Sequence, residues 1–231
     1  MDLKGDLRRI LKMFYAPTSV FAEIKNKEAG IYWLTPLVII LIAVIISSYL
    51  VIPNIIIPEQ IERTVEQIDD EAEIENRIEY FTSSYHYYTS FFAEIGKKLS
   101  FFFILALFLS MLQLYFGGDK LTYSYFFTGV VYVGIIKSVG LVIDSYLQYR
   151  ASSFEAGLHL AAVFPEISGY WSHFLRTLTL FSFWQVFLLA FMLKVFYNYS
   201  KRKSYFLMFS IWIVWCLIIA YFSNLQEIIR S

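Results

Sequence analysis

Residues 32–52 read YWLTPLVIILIAVIISSYLVI, an uncharged run that ends at Pro53. A helix needs about 20 apolar residues to cross about 30 Å of hydrocarbon. Lipid offers no partner to a backbone N–H or C=O, so such a run must bond its backbone within itself, as a helix. Alternating barrel strands would not give continuous apolar runs. Four more segments meet the same need: Leu99–Phe116, which stops at Gly117-Gly118, then Tyr123–Leu147, Phe174–Tyr197 and Tyr205–Phe222. The reading is an all-α integral membrane protein with five transmembrane helices.

Composition agrees. Of the 231 residues, 58% are hydrophobic and only 16% charged, against about 25% charged in soluble domains. A single soluble core of this length could not hide so much apolar surface. The 18 Tyr and 23 Phe suit broad interfacial belts. Nineteen basic and nineteen acidic residues cancel. Without a basic domain or a binding motif, no nucleic-acid partner is expected. Cys216 is the single cysteine, which excludes an intrachain disulfide and a cysteine metal cluster. Met1 to Lys12 is charged throughout, unlike a signal peptide, so the first apolar run reads as a retained anchor.

Orientation follows the basic residues of the short connections. With the N-terminus in the cytoplasm, the inner side carries Lys4, Arg8, Arg9, Lys12, Lys25, Lys27, Lys120, Lys201, Arg202 and Lys203. The outer side then carries Arg63, Arg77, Lys97, Lys98, Arg150 and Arg230, fewer in number, and the C-terminus lies outside. The expected organisation is a cytoplasmic amphipathic segment over 1–31 and a five-span domain over 32–231, with outer loops at 53–98 and 148–170.

In residues 2–14, helical spacing groups Leu3, Leu7, Ile10, Leu11 and Phe14 opposite Lys4, Arg8, Arg9 and Lys12. This predicts a helix whose basic face contacts an anionic inner leaflet. Pro17 restarts the chain, and Val20, Phe21 and Ile24 make a second short apolar face. In the first outer loop, Glu59, Glu62, Glu66, Asp69, Asp70, Glu71, Glu73, Glu75 and Glu79 face only Arg63 and Arg77. The 4-3-4 spacing of Ile61, Val65, Ile68 and Ala72 predicts one amphipathic acidic helix there. In the second loop, Ser152 or Ser153 is placed to cap a short helix through Val163, stopped by Pro165.

Lys137 is the sharpest anomaly, about 14 residues into the third run, where a lysine costs roughly 2.5–3.5 kcal/mol. Asp144 lies seven residues on, about 10 Å along a helix axis. Arg176 opens the fourth run at the depth where Asp144 closes the third, so Asp144–Arg176 is the preferred pair. Lys137, Asp144 and Arg176 form either a polar pathway or a structural cluster that fixes helix register. Lys194 is placed to snorkel. Gly129, Gly134 and Gly140 permit close packing and argue for a central third helix. The three histidines, His86, His159 and His173, match no metal-ligand spacing, so no metal and no cofactor is expected. No H-E-x-x-H, G-x-S-x-G or phosphate loop is present, and no enzyme activity is expected.

Three stretches carry a family resemblance: KMFYAPTSVFAEI at 12–24, FGGDKLTYSYFFTGVVY at 116–132, and FSFW within 175–197 followed by the basic turn Lys201–Lys203. In this order they resemble the Yip-type family of Ypt/Rab-interacting membrane proteins. The resemblance implies a five-span fold with a cytoplasmic N-terminus. It also implies a role in vesicle traffic with small GTPases for the eukaryotic members, and no assigned activity for the prokaryotic ones. The short N-terminal segment fits a prokaryotic plasma membrane. The expected function is a multi-pass scaffold or adaptor for lipid and for protein partners or further copies of itself. The alternative is a small-solute or ion permease using the Lys137, Asp144 and Arg176 cluster.

Overall fold

The computed structural model describes residues 3–26, 33–68 and 70–230, and their side chains apart from Leu3 and residues 228–230. Tyr32 at the expected start of the first span, Lys27 of the inner cations and Asp69 of the acidic run lie outside them. The elements are α1 (Leu3–Lys12), α2 (Pro17–Asn26), α3 (Leu34–Val51), α4 (Ile57–Gln67), α5 (Glu71–Thr82), α6 (Ser84–Phe116), α7 (Tyr123–Ala151), α8 (Gly169–Thr177), α9 (Leu180–Phe196) and α10 (Lys201–Arg230). No strand occurs among the described residues, only an isolated antiparallel bridge between His159 and Thr179.

Four helical stretches are long and apolar enough to cross a membrane: Leu34–Gln67, Ser84–Phe116, Tyr123–Ala151 and Lys201–Glu227. The fifth apolar helix, α9, has 17 residues. Of the four, the one formed by α7 is the most deeply buried, in line with the central position argued from its glycines. A Cβ at Gly134 would stand 2.6 Å from Phe102 Cε1, and one at Gly140 would stand 2.5 Å from Phe181 Cγ.

Several boundaries differ from the sequence reading. Pro53 does not end the first helix. The turn Ile52–Ile56 widens to π geometry with proline in its first positions, where a missing N–H is tolerated. Asn54 Nδ2 donates to Leu50 O at 2.9 Å, and α4 follows without a break. The acidic run is two helices, not one. Ile68 is extended, and Asp70 opens α5 by accepting from Ala72 N at 3.0 Å, the local competition that makes aspartate an N-cap. Val65 and Ala72 are both exposed, so the expected single stripe does not form.

The fourth run is interrupted as well. Thr179 is extended and accepts from Ser182 N at 3.0 Å, which starts α9 at Leu180 and leaves Phe174 and Arg176 in α8. Two backbone bonds hold this break, Leu160 N to Leu178 O at 3.1 Å and Leu180 N to Leu158 O at 3.3 Å. No helix runs from Ser153 to Val163. Ser153 Oγ instead caps a turn at Glu155 N, and a single 3₁₀ turn at Leu160–Ala162 is capped by His159.

The chain divides into two compact units. The first comprises 1–40, 102–140 and 158–231, and the second comprises 41–101 and 141–157. In the first unit α2 packs on α9, α9 on α10, and α10 on α8. Its centre is aromatic. Phe196 meets Phe21 and Phe126 edge-on, and Phe126 lies against Tyr197. Val20, Phe21 and Ile24 are buried, as their spacing predicts. In the second unit α4 packs on α5. His86 pins them to α6, bonding Gln60 at 3.0 Å and lying against Tyr80 and Phe81. Ser47 and Ser145 share a buried hydrogen bond of 2.5 Å.

Candidate functional site

The charges of the N-terminal segment are not arranged as helical spacing suggested. Asp6 is 2% exposed and Arg9 7%. Arg9 Nη1 donates to Asp6 Oδ1 at 2.6 Å, and Thr35 at the start of α3 donates to Asp6 Oδ2 at 2.7 Å. Glu23 on α2 accepts from Arg9 Nε at 3.3 Å and from Lys12 Nζ at 2.8 Å. The buried phenol of Tyr132 on α7 lies against the same guanidinium. The network joins α1, α2, α3 and α7 within the first unit.

The electrostatics follow from these contacts. The hydrogen bond from Lys12 holds the Glu23 carboxyl below its ordinary 4.5, against the opposing effect of burial. Burial opposes the Arg9 charge, but Tyr132, Asp6 and Glu23 together leave its pKa raised. A buried charge is costly unless paired and hydrogen-bonded, and here both carboxylates are.

A second set of contacts closes the end of the first unit where α9 finishes and α10 starts. Lys25 donates to Asp119 Oδ2 at 2.8 Å and to Val195 O at 2.7 Å. Gly117 and Gly118 take positive φ of 66° and 121°, which allows a turn tight enough for Tyr199 to reach Gly117 O. Lys203 donates to Phe116 O at 2.8 Å and sits 3.9 Å over the Tyr199 ring. Lys120, Lys201 and Arg202 at this end are exposed.

Of the residues expected at a membrane surface, Lys4 and Arg8 are exposed, Lys12 is half-buried and Arg9 is buried. Of the expected polar cluster, Lys137 is exposed on α7 although Ile136 and Ser138 beside it are buried, while Asp144 is half-buried further along that helix. Arg176 is half-buried in the last turn of α8. Lys137 and Arg176 belong to the first unit and Asp144 to the second. Lys194 is exposed. The histidines have separate partners: His86 in its aromatic contacts, His159 accepting from Ala162 N at 3.1 Å, and His173 on Glu227 at 2.7 Å.

Apolar patterning does not mark Asp6, Glu23, Thr35 or Tyr132. The i, i+3 spacing of Asp6 and Arg9 was the available signal. The long-range partners Glu23 and Thr35 left none.

The model of the Yip1 domain family matches residues 11–223, from inside α1 to within α10. The chain belongs to the Yip1 domain family. The match covers nearly the whole chain, and with the four long apolar helices it makes this Yip1 domain a protein of the lipid bilayer. No curated protein and no solved structure matches the chain. The charged network therefore joins α1, which the match only clips, to the body of a Yip1 domain.

Proposed function

We propose that the protein is a non-enzymatic, multi-pass scaffold or adaptor of a prokaryotic plasma membrane. In this reading α9 completes five spans, the N-terminus is cytoplasmic and the C-terminus is outside. Lys4 and Arg8 meet the inner leaflet, and protein partners or further copies bind the exposed helices.

One observation carries this reading: the charges beside the apolar helices are engaged in holding helices together. Asp6, Arg9, Glu23 and Lys12 do this at α1. Lys25 and Asp119 do it at the α6–α7 turn, and His173 with Glu227 between α8 and α10. A frame built this way suits a binding role more than a transport cycle.

The test is extraction into native nanodiscs followed by mass spectrometry of what copurifies. A stoichiometric protein partner or a defined homo-oligomer is expected. A monomer carrying only lipid would remove the support for an adaptor.

A second reading has its own observation. The exposed Lys137 between buried neighbours is an arrangement that a water-filled path accommodates. A permease with Lys137, Asp144 and Arg176 along its path predicts solute flux in proteoliposomes that disappears in Lys137→Leu.

A further inference from the structure

α1 mixes charged and apolar side chains on both of its faces. Asp6 and Arg9 are buried with Ile10, whereas Leu7 and Leu11, and Phe14 and Tyr15 in the turn that follows, are exposed, Leu11 by 65% and Tyr15 by 73%. At 3.6 residues per turn, Phe14, Leu7 and Leu11 occupy one sector of the helix, and Tyr15, Lys4 and Arg8 the sector beside it. Water is a poor solvent for such a face, and hydrocarbon is a good one.

The contacts of the hairpin formed by α1 and α2 fix how deep it lies. Lys25 bonds the carbonyl of Val195, at the last turn of α9. Phe14 packs edge-on against Trp184 at 5.6 Å between centroids. Lys25 to Phe14 and Val195 to Trp184 are equal steps of eleven residues, so the chain tracks α9 for roughly 16 Å. The Val195 end is ringed by Lys25, Lys120, Lys201, Arg202 and Lys203, which marks headgroup level. The turn at Met13–Ala16 therefore reaches about half of the 30 Å hydrocarbon thickness.

Two further features meet the demands of that depth. Lipid tolerates a chain reversal only where the backbone is satisfied. Met13 N bonds Arg9 O, Phe14 N bonds Leu11 O, and Tyr15 N and Ala16 N both bond Lys12 O, while Pro17 has no N–H. The charges of the two arms also face each other: Glu23 accepts from Arg9 and Lys12, and Asp6 from Arg9 and Thr35.

We propose that α1 and α2 form a re-entrant hairpin immersed in one leaflet. Phospholipid acyl chains cover Leu7, Leu11, Phe14 and Tyr15, and Lys4 and Arg8 reach up to the phosphates. The N-terminal segment is then a wedge occupying area in a single leaflet and not a helix lying on its surface. This rests on the reading of the long apolar helices, and α9 with them, as spans.

The full chain with Cys216→Ala is labelled with a fluorophore at one introduced cysteine, Lys4→Cys, Leu11→Cys, Tyr15→Cys or Ile104→Cys, in phosphatidylcholine–phosphatidylglycerol nanodiscs. Nitroxide lipids carry the quencher either at the headgroup or deep in the acyl chain. Ile104 is an exposed residue of α6 and reports whether the spans are in lipid at all. The expected result is stronger deep than headgroup quenching at Ile104, Tyr15 and Leu11, and the reverse at Lys4. Deep quenching at Ile104 with headgroup quenching or none at Leu11 and Tyr15 overturns the hairpin alone. Failure of deep quenching at Ile104 overturns the membrane-spanning reading beneath it.

Discussion

Arg9 holds two carboxylates at once, and its removal takes the ion-pair partner from Asp6, which is 2% exposed. Breaking one side of a buried pair costs about 3–5 kcal/mol, whereas replacing both partners with apolar groups is often neutral. Arg9→Leu should therefore lower the melting temperature strongly in detergent, and Asp6→Leu added to it should recover most of the loss. A double variant no more stable than the single would show that Asp6 is not the reason Arg9 matters. Glu23 gives the pH dependence. Lys12 holds its folded-state pKa below 4.5, so the unfolded chain binds its proton first as pH falls. The stabilisation is complete above about 4.5 and drains as pH drops through the lower folded value. Glu23→Gln should be less stable at pH 7 and lose less than the parent on acidification. Equal acid losses in the two proteins would remove Glu23 from the account.

Among the elements, α7 is where packing is tightest. A methyl at Gly140 meets Phe181 Cγ at 2.5 Å and its Cβ at 2.8 Å. That Cβ cannot move without the backbone of α9, so Gly140→Ala should cost about 1–3 kcal/mol by overpacking. A methyl at Gly129 meets Met192 Sδ, the far end of a flexible chain that can swing aside. Gly129→Ala should sit at the low end of that range, and thermal melts of the two variants compare them directly. The break between α4 and α5 depends on one cap, and Asp70→Ala should cost about 1 kcal/mol there. These elements also show what spacing could and could not reveal. Long apolar runs are a property of consecutive residues, so α3, α7 and the C-terminal end of α6 were legible to within a few positions, whereas α6 starts at Ser84 and α10 runs on to Arg230, both through polar residues well outside the apolar runs. The breaks at Ile68 and Leu178 were not, because each is decided by a side-chain cap or a bridge to a distant strand of chain such as Leu158–Leu160.

For the whole molecule, the number of crossings turns on α9. Its 17 residues span about 26 Å at 1.5 Å per residue, close to the hydrocarbon thickness. Cysteine labelling with an impermeant reagent decides this. With Cys216→Ala as background, Lys120→Cys and Lys201→Cys should react from one side of sealed vesicles, and Glu75→Cys and Glu166→Cys from the other. Reaction of Glu166→Cys and Lys201→Cys from the same side would mean that α9 does not cross.

The sequence by itself determined that this is a helical protein of the bilayer, where four of its long apolar helices lie, and where the Gly117–Gly118 turn and the α2 core face lie. Those properties reside in composition and in neighbours along the chain, and the hydrophobic effect and backbone hydrogen bonding act on them locally. Only the tertiary structure decided which side of α1 is buried. Periodicity could divide Leu7 and Leu11 from Arg8 and Arg9. It could not say that Glu23, Thr35 and Tyr132, up to 123 residues away along the chain, would draw Arg9 inward with Asp6 and leave the leucines outside. An amphipathic pattern names two faces, and the surroundings choose which of them is the interior.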